Sequence, residues 1–441
     1  MTHFTDLGLA APILQALAAK GYDTPTPIQA QAIPLLLQGR DLCGIAQTGT
    51  GKTAAFALPS LQRLAATPKP RPPKGCRMLV LAPTRELASQ IAESFRVYGG
   101  KLRLSVTTVF GGVPIPRQVR ALAGGVDILV ATPGRLLDLI DQHALTLRNV
   151  EIFVLDEADQ MLDLGFIHAL RRVDRLLPKQ RQSLFFSATM PPAIAELAAA
   201  FLSDPARVSV APPATTAERI EQRATFVNQA EKQALLTLKL RAEPIDRALV
   251  FTRTKHGADR VVKHLDAAGI AANAIHGNKS QPQRERALAA FRDGSAPILV
   301  ATDIAARGID VGGVSHVFNF ELPNVPEQYV HRIGRTARAG AEGIAISFVA
   351  DDERAYLRQI EKLTRVKVAI DPLPENFLAE QARLPKPRAE PRGEERHGQR
   401  RPDQRRAEGG RPGERPAGGP RRRRPGAVGA HKGAVRKTGG R

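Results

Sequence analysis

Cysteine is nearly absent from this chain: among 441 residues there are only Cys43 and Cys76. Two thiols so far apart exclude a disulfide framework and a cysteine-built zinc site. Cys43 falls inside the apolar run LCGI and reads as a packed core thiol. Long apolar runs are lacking as well. No segment approaches the roughly 18 apolar residues of a membrane span, and the opening MTHFTDLGLA has neither the basic start nor the apolar centre of a secretory signal. A cytoplasmic protein without a membrane partner is the resulting expectation. From about Pro385 onward Phe and Tyr disappear, Arg, Gly and Pro dominate, and RRRR stands at Arg421 to Arg424. Such a stretch cannot bury apolar surface, which excludes a packed domain there and predicts a disordered basic tail.

What the chain does have is length and positive charge. Its length suggests two or three units, each long enough for a core. The net charge of +21 points to a polyanionic partner. Residues 386–441 hold 18 Lys and Arg against 6 Asp and Glu, so +12 of that charge lies in the tail and +9 in the remainder.

The stretch Ala46 to Thr53, AQTGTGKT, follows the apolar run Leu42 to Ile45 and precedes AAFALPSLQRL, whose apolar residues recur at helical spacing. It reads as a strand-to-helix loop that cradles a nucleotide's phosphates. Gly49 and Gly51 let backbone N–H groups turn inward, Lys52 brings a mobile positive charge, and the Thr53 hydroxyl suits a magnesium ion at the helix N-terminus. The general signature GxxxxGK[ST] asks for Gly where Ala46 stands. Upstream, TPTPIQ at Thr24 to Gln29 sets an extended turn before a helix. The Gln29 amide suits an adenine edge and Tyr22 offers a face to stack on, although a helix N-terminus beside a core tyrosine would look the same.

Apolar strand-like runs stand at 42, 78, 106, 128, 152 and 184, and six more at 224, 248, 273, 298, 316 and 344. Helical patterns separate them, which predicts α/β parallel sheets with crossover helices. Polar groups cluster just after these runs, where open parallel sheets bind ligands. Between the series, VSVAPPATTAER at Val208 to Arg219 reads as a linker. ILVAT occurs at Ile128 to Thr132 and again at Ile298 to Thr302, a hint that the halves are related copies.

The run IFVL leads into Asp156, Glu157, Ala158 and Asp159. Asp156 is placed to hold magnesium through its water shell and Glu157 to orient or deprotonate the attacking water. Cleaving a terminal phosphoryl group also needs positive charge beyond it. YVHRIGRTARAG supplies His331, Arg335 and Arg338 at i, i+4 and i+7, which would share one helical face. A solvated surface or an RNA contact would use the same pattern.

With these residues in hand, the chain resembles the DEAD-box ATP-dependent RNA helicases over about residues 1 to 375, motif by motif and in order. The matches are Phe4, Gly21-Tyr22 and Thr26 to Gln29, then AQTGTGKT, PTRELA at Pro83 to Ala88, Gly111-Gly112, TPGR at Thr132 to Arg135, DEAD, and SAT at Ser187 to Thr189. VFTRT, Gln281 with Arg284, ATDIAARGID and HRIGRTAR follow. The family has Ala at the position of Ala46, and RTARAG with the basic tail is most similar to the bacterial RhlE type. Ala337 stands where many relatives have Gly, with little consequence expected.

The resemblance implies two RecA-like parallel-sheet domains in tandem. The first, 1–207, binds ATP; a linker follows at 208–219; the second domain is 220–375 and the tail 376–441. It implies ATP and Mg2+ as cofactors. Hydrolysis would fall to Lys52, Asp156, Glu157, His331, Arg335 and Arg338, with Thr53 and Asp156 at the metal. The nucleotide would be held by Phe4, Tyr22, Thr24, Gln29, Ala46, Gln47, Thr48, Gly49, Thr50, Gly51, Lys52, Thr53, Gly308 and Asp310. Asp159, Ser187 and Thr189 would couple that site to RNA. RNA backbone contacts would come from Pro83, Thr84, Arg85, Gly112, Thr132, Gly134 and Arg135 in the first domain, and from Arg253, Gly277, Gln281, Arg284 and Thr302 in the second. Such contacts distinguish RNA from DNA without reading sequence.

The expected activity is RNA-stimulated ATP hydrolysis coupled to local duplex unwinding and RNA or RNP remodelling, with ribosome-assembly or RNA-decay proteins as possible partners. A rival expectation is an ATP-gated RNA clamp or annealing chaperone, to which the tail would contribute by counterion release. A DNA helicase is a third reading.

Overall fold

A computed structural model describes residues 2–47, 49–210, 220–306, 312–337, 342–375 and 377–385. Residues 386–441, most of the linker and four site residues (Thr48, Gly308, Asp310 and Arg338) lie outside the described residues.

The first lobe carries seven strands: β1 (Leu42–Ile45), β2 (Cys76–Leu81), β3 (Val106–Val109), β4 (Val126–Ala131), β5 (Ile152–Leu155), β6 (Gln182–Ser187) and β7 (Ala206–Ser209). Seven more form the second: β8 (Ile220–Phe226), β9 (Ala248–Phe251), β10 (Ala272–Ile275), β11 (Ile298–Ala301), β12 (His316–Asn319), β13 (Gly343–Val349) and β14 (Ala369–Ile370). Every pairing is parallel. Successive side chains of a strand point to opposite faces, and both faces of the first sheet are apolar. Met78, Val80, Ile152 and Val154 pack on one side, Leu79, Leu81, Phe153 and Leu155 on the other. Burial on both faces is why these strands read as unbroken apolar runs. Both cysteines are free and buried.

The sheet order is β3-β4-β2-β5-β6-β1-β7 in the first lobe and β10-β11-β9-β12-β13-β8-β14 in the second. Counted within each lobe, these orders are identical, and the repeated ILVA falls on β4 and β11, the same place in both sheets. The short sequence repeat therefore marks a duplicated architecture.

Three sequence expectations are corrected. Each sheet has seven strands rather than six; the segment read as linker begins inside β7, since Val208 and Ser209 are its last residues; and the segment read as tail from 376 begins with the helix Phe377–Arg383, whose Phe377 is buried in the second-lobe core. β7 alternates buried and exposed residues and β14 is two exposed residues long, so neither shows the apolar run that marked the others.

The order also sorts the motifs. β5, β6 and β1 are neighbours, so DEAD, SAT and the phosphate loop leave adjacent strand ends. β3, β4 and β2 are neighbours in the other half of the sheet, and they deliver Gly111-Gly112, TPGR and PTRELA. One sheet thus presents two separate groups of polar residues at its carboxyl edge.

Candidate nucleotide and nucleic-acid site

The loop after β1 turns through Gly49 and Gly51, both left-handed at φ 87° and 92°, into the helix Lys52–Ala66. Gly51 has a second reason to lack a side chain: a Cβ there would overlap the Gln29 amide. That amide donates from Nε2 to the Gly51 carbonyl (3.1 Å) and accepts at Oε1 from the Thr26 backbone N–H (2.9 Å). Gln29 is therefore tied to the phosphate loop itself. Thr50 Oγ1 donates to the Gln47 carbonyl (2.8 Å), closing the loop on itself. Tyr22 is 49% exposed and presents its ring, whereas Phe4 is buried in the first-lobe core.

Lys52 is buried, and its Nζ has no hydrogen-bond partner among the described residues. A buried ammonium without a partner is costly, and a polyphosphate bound in the loop would relieve that cost. Asp156, at the end of β5, is also buried. Burial pushes its carboxyl well above the usual carboxylate range; the Lys52 charge opposes this and the Glu157 charge adds to it. Glu157 takes a left-handed backbone, φ 54° and ψ 54°, its N–H donating to Asp156 Oδ1 (3.0 Å). For a non-glycine residue that conformation costs about 1–2 kcal/mol, and such strain concentrates at functional sites.

Asp159 turns the other way. Its Oδ2 accepts from the N–H groups of Ala188 and Thr189 (3.1 Å each) and from Thr189 Oγ1 (3.2 Å). The Ser187 carbonyl accepts from the Ala46 N–H (3.0 Å). SAT thus bonds to DEAD on one side and to the phosphate loop on the other.

In the second group of the first lobe, Arg85 lies against Gly111 and Gly112, and a Cβ on Gly112, at φ 77°, would overlap its guanidinium. Burial lowers the Arg85 pKa; Glu86 opposes this, while the charges of Arg284 and Arg135 lower it further. Arg135 donates to the Val113 carbonyl (2.8 Å) and Thr84 caps the helix Arg85–Tyr98. Space is open beside Gly134 and Gly277. Thr132 is buried at the end of β4. Arg284 crosses from the second lobe to pair with Glu86 (2.6 Å, both buried) and also donates to the His276 carbonyl (3.2 Å). Gln281, beside it, donates to Glu285 (3.1 Å).

The shared helical face expected for His331 and Arg335 is not formed, and Arg338 lies outside the described residues. The helix Pro326–Ile333 ends before Gly334, so His331 is helical while Arg335 sits in the turn beyond, its Nε donating back to the His331 carbonyl (3.3 Å). Sequence reading passed over Arg332, which is 1% exposed. Its guanidinium makes paired bonds to Asp303 (2.5 and 2.7 Å), donates to Asn319 (3.1 Å) and the Glu321 carbonyl (2.6 Å), and lies over the Phe251 ring. Arg332 thereby fixes the Arg335 turn to the residues after β11 and β12. Nothing local in HRIGR separates it from its neighbours; only the 29-residue jump to Asp303 does.

Ala337 also departs from expectation. It has φ 54°, the left-handed region in which a β-carbon is strained. Ala337→Gly should raise the unfolding free energy by about 1 kcal/mol, read by chemical denaturation; an unchanged or lower midpoint would contradict the strain.

A phosphate loop and paired carboxylates on one parallel sheet, joined in the same chain to a second lobe of the same strand order with buried arginines, define a two-lobed RecA-like nucleoside triphosphatase. The DEAD/DEAH box helicase family matches residues 26–197 and the helicase conserved C-terminal domain family matches 230–340. The chain is 45% identical over 368 residues to the DEAD-box ATP-dependent RNA helicase CshA of Bacillus cereus, covering 83% of this chain and 69% of that one. It is 46% identical over 384 residues to the RNA helicase CrhR of Synechocystis, covering 87% and 77%. The solved structure of S. cerevisiae Dbp5 bound to RNA and ADP BeF3 superposes with a TM-score of 0.74 at 32% identity, covering 87% of this chain and 98% of that one. The chain belongs to the DEAD-box ATP-dependent RNA helicases and is an ATP-hydrolysing RNA helicase.

Proposed function

We propose that the two groups of residues on the first sheet divide the work, one holding ATP and the other RNA, and that closure of the second lobe joins them. Lys52 and the loop Ala46 to Thr53 grip the phosphates, with Gln29 and Tyr22 on the base. Thr53 and Asp156 are hard oxygen donors that suit Mg2+ held mainly by water and phosphate; the ion would neutralise phosphate charge. Glu157 orients and deprotonates the attacking water, and Arg335 with Arg338 and His331 brings positive charge to the γ-phosphate. Arg85, Arg135, Arg253 and Arg284, with the open space at Gly134 and Gly277, take the RNA backbone; a bent single strand fits there and a duplex is forced apart. The Dbp5 complex with RNA and ADP BeF3 supports this assignment of substrates.

One observation carries the proposal: β6 lies between β5 and β1, so SAT is hydrogen-bonded to both Asp159 and Ala46. A change at the phosphates then has a short route to the RNA side. The combined variant Ser187→Ala with Thr189→Ala should keep RNA-stimulated ATP turnover within about threefold and lose about tenfold or more in ATP-dependent release of a strand from a short RNA duplex. Equal losses in both assays would sink the coupling role.

We assign 1–209 to the ATP-binding domain, 210–219 to the linker, 220–384 to the second domain and 385–441 to a basic RNA-binding tail. The RhlE-type placement rests on RTARAG and that tail; the relatives described above bear the names CshA and CrhR at about 45% identity. No helix among the described residues is long and apolar enough to cross a membrane. A cytoplasmic site of action, with ribosome-assembly or RNA-decay partners, is the setting we propose. The ATP-gated clamp is favoured only by the tail's charge, and deleting residues 385–441 should weaken RNA binding and flatten its salt dependence while sparing ATP turnover at saturating RNA.

A further inference from the structure

Lys232 and Glu353 form an ion pair with both side chains fully buried in the second lobe, away from the phosphate loop. A buried ion pair of this kind is weak support for stability by itself, because desolvating two charges offsets their attraction. Its surroundings suggest another use. Glu353 closes the short turn Asp351–Glu353, and its Oε2 also accepts from the Ala350 N–H (3.0 Å). Its Oε1 accepts from the Leu322 N–H (3.2 Å) and forms an ion pair with Arg253 Nη2 (3.2 Å). Arg253, just beyond the end of β9, is also held by its backbone: its N–H donates to Glu321 Oε2 (2.6 Å), and Glu321 Oε1 lies 3.9 Å from its Nε. Lys232, Arg253, Glu321 and Glu353 balance in charge, and of the four, Arg253 has the most exposed side chain, at 27%.

We propose that Glu353, paired with Lys232, is a positioning residue for RNA binding. Through the pair at Nη2 it fixes the Arg253 guanidinium, whose Nη1 also donates to Asn324 Oδ1 (3.5 Å), so that the exposed edge of the guanidinium faces the RNA backbone. The proposal rests on the reading above that Arg253 touches RNA. Without Lys232, the carboxylate would be buried against a single cation that must also engage phosphate. With Lys232 beside it, Glu353 stays paired whether or not Arg253 shifts toward the strand. Arginine's planar fork is suited to being held by one edge while it offers another.

The test uses the full chain and a single-stranded RNA, and reads the RNA concentration that gives half-maximal ATP turnover. Arg253→Ala should raise that concentration about tenfold. The charge-balanced pair Lys232→Met with Glu353→Gln should raise it by a similar factor, leaving the maximal rate and the KM for ATP unchanged. Combining all three changes should add nothing further, because Glu353 acts through Arg253. Glu353→Asp is the second variant: it keeps a charge for Lys232 but shortens the reach to Nη2, and should raise the same concentration with little change in melting temperature. If Arg253→Ala has no effect, the RNA role of Arg253 fails and the proposal falls with it. If Arg253→Ala weakens RNA binding but the paired variant and Glu353→Asp do not, or if the triple variant is additive, the positioning role alone is overturned.

Discussion

Glu157→Gln is expected to lower RNA-stimulated ATP turnover about 10^3-fold while leaving nucleotide binding within a few-fold. The change keeps the side chain's size and removes its basicity, and a positioned general base contributes about 10^2 to 10^4 in rate. Glu157 is buried, and its left-handed backbone is held between the end of β5 and the helix Ala158–Asp163. An amide there keeps the packing but takes no proton from water. Phosphate release at saturating RNA, with binding of a fluorescent ATP analogue as the control, separates the two effects. Lys52→Ala should differ by losing both binding and turnover, since its buried ammonium is a cation at the mouth of the phosphate loop. Intact turnover in either variant would remove the hydrolysis assignment.

Arg335→Ala is expected to cost about 10^3-fold or more in turnover, the range an arginine finger supplies in phosphoryl transfer. ATP affinity should change little, because the loop Ala46 to Thr53 and Gln29 belong to the first lobe. Arg335→Lys should recover only a small part of the rate, because an ammonium lacks the planar fork that meets two phosphate oxygens. The turn that carries Arg335 is fixed from below by Arg332 on Asp303, Asn319 and the Glu321 carbonyl. Turnover within a few-fold of wild type in Arg335→Ala would show that the second lobe does not complete the site.

Runs such as β2, β4 and β5 were legible because each of these strands is buried throughout, so apolar residues dominate both faces. β7 was not, since the exposed Arg207 and Ser209 alternate with the buried Ala206 and Val208, and β14 offers only two exposed residues. The phosphate loop and DEAD were legible because their chemistry is local: a few consecutive residues make each group. The arginines of the second lobe were half legible. Their identity followed from HRIGRTAR, but a helical face was inferred across Gly334, where the helix stops. The pairs that fix these groups were invisible, because partners meet only in three dimensions: Glu86 and Arg284 are 198 positions apart, Lys232 and Glu353 121. Ala337 looked harmless by type, and its cost appears only with its backbone angle.

The most direct test of a site completed only when RNA joins the two lobes is steady-state ATP turnover by the intact chain with no nucleic acid, with single-stranded RNA and with DNA of the same sequence. RNA should raise the rate at least about tenfold and DNA should leave it near the basal value, as 2′-hydroxyl contacts require. A basal rate already equal to the RNA-saturated rate, or equal stimulation by DNA, would contradict the account.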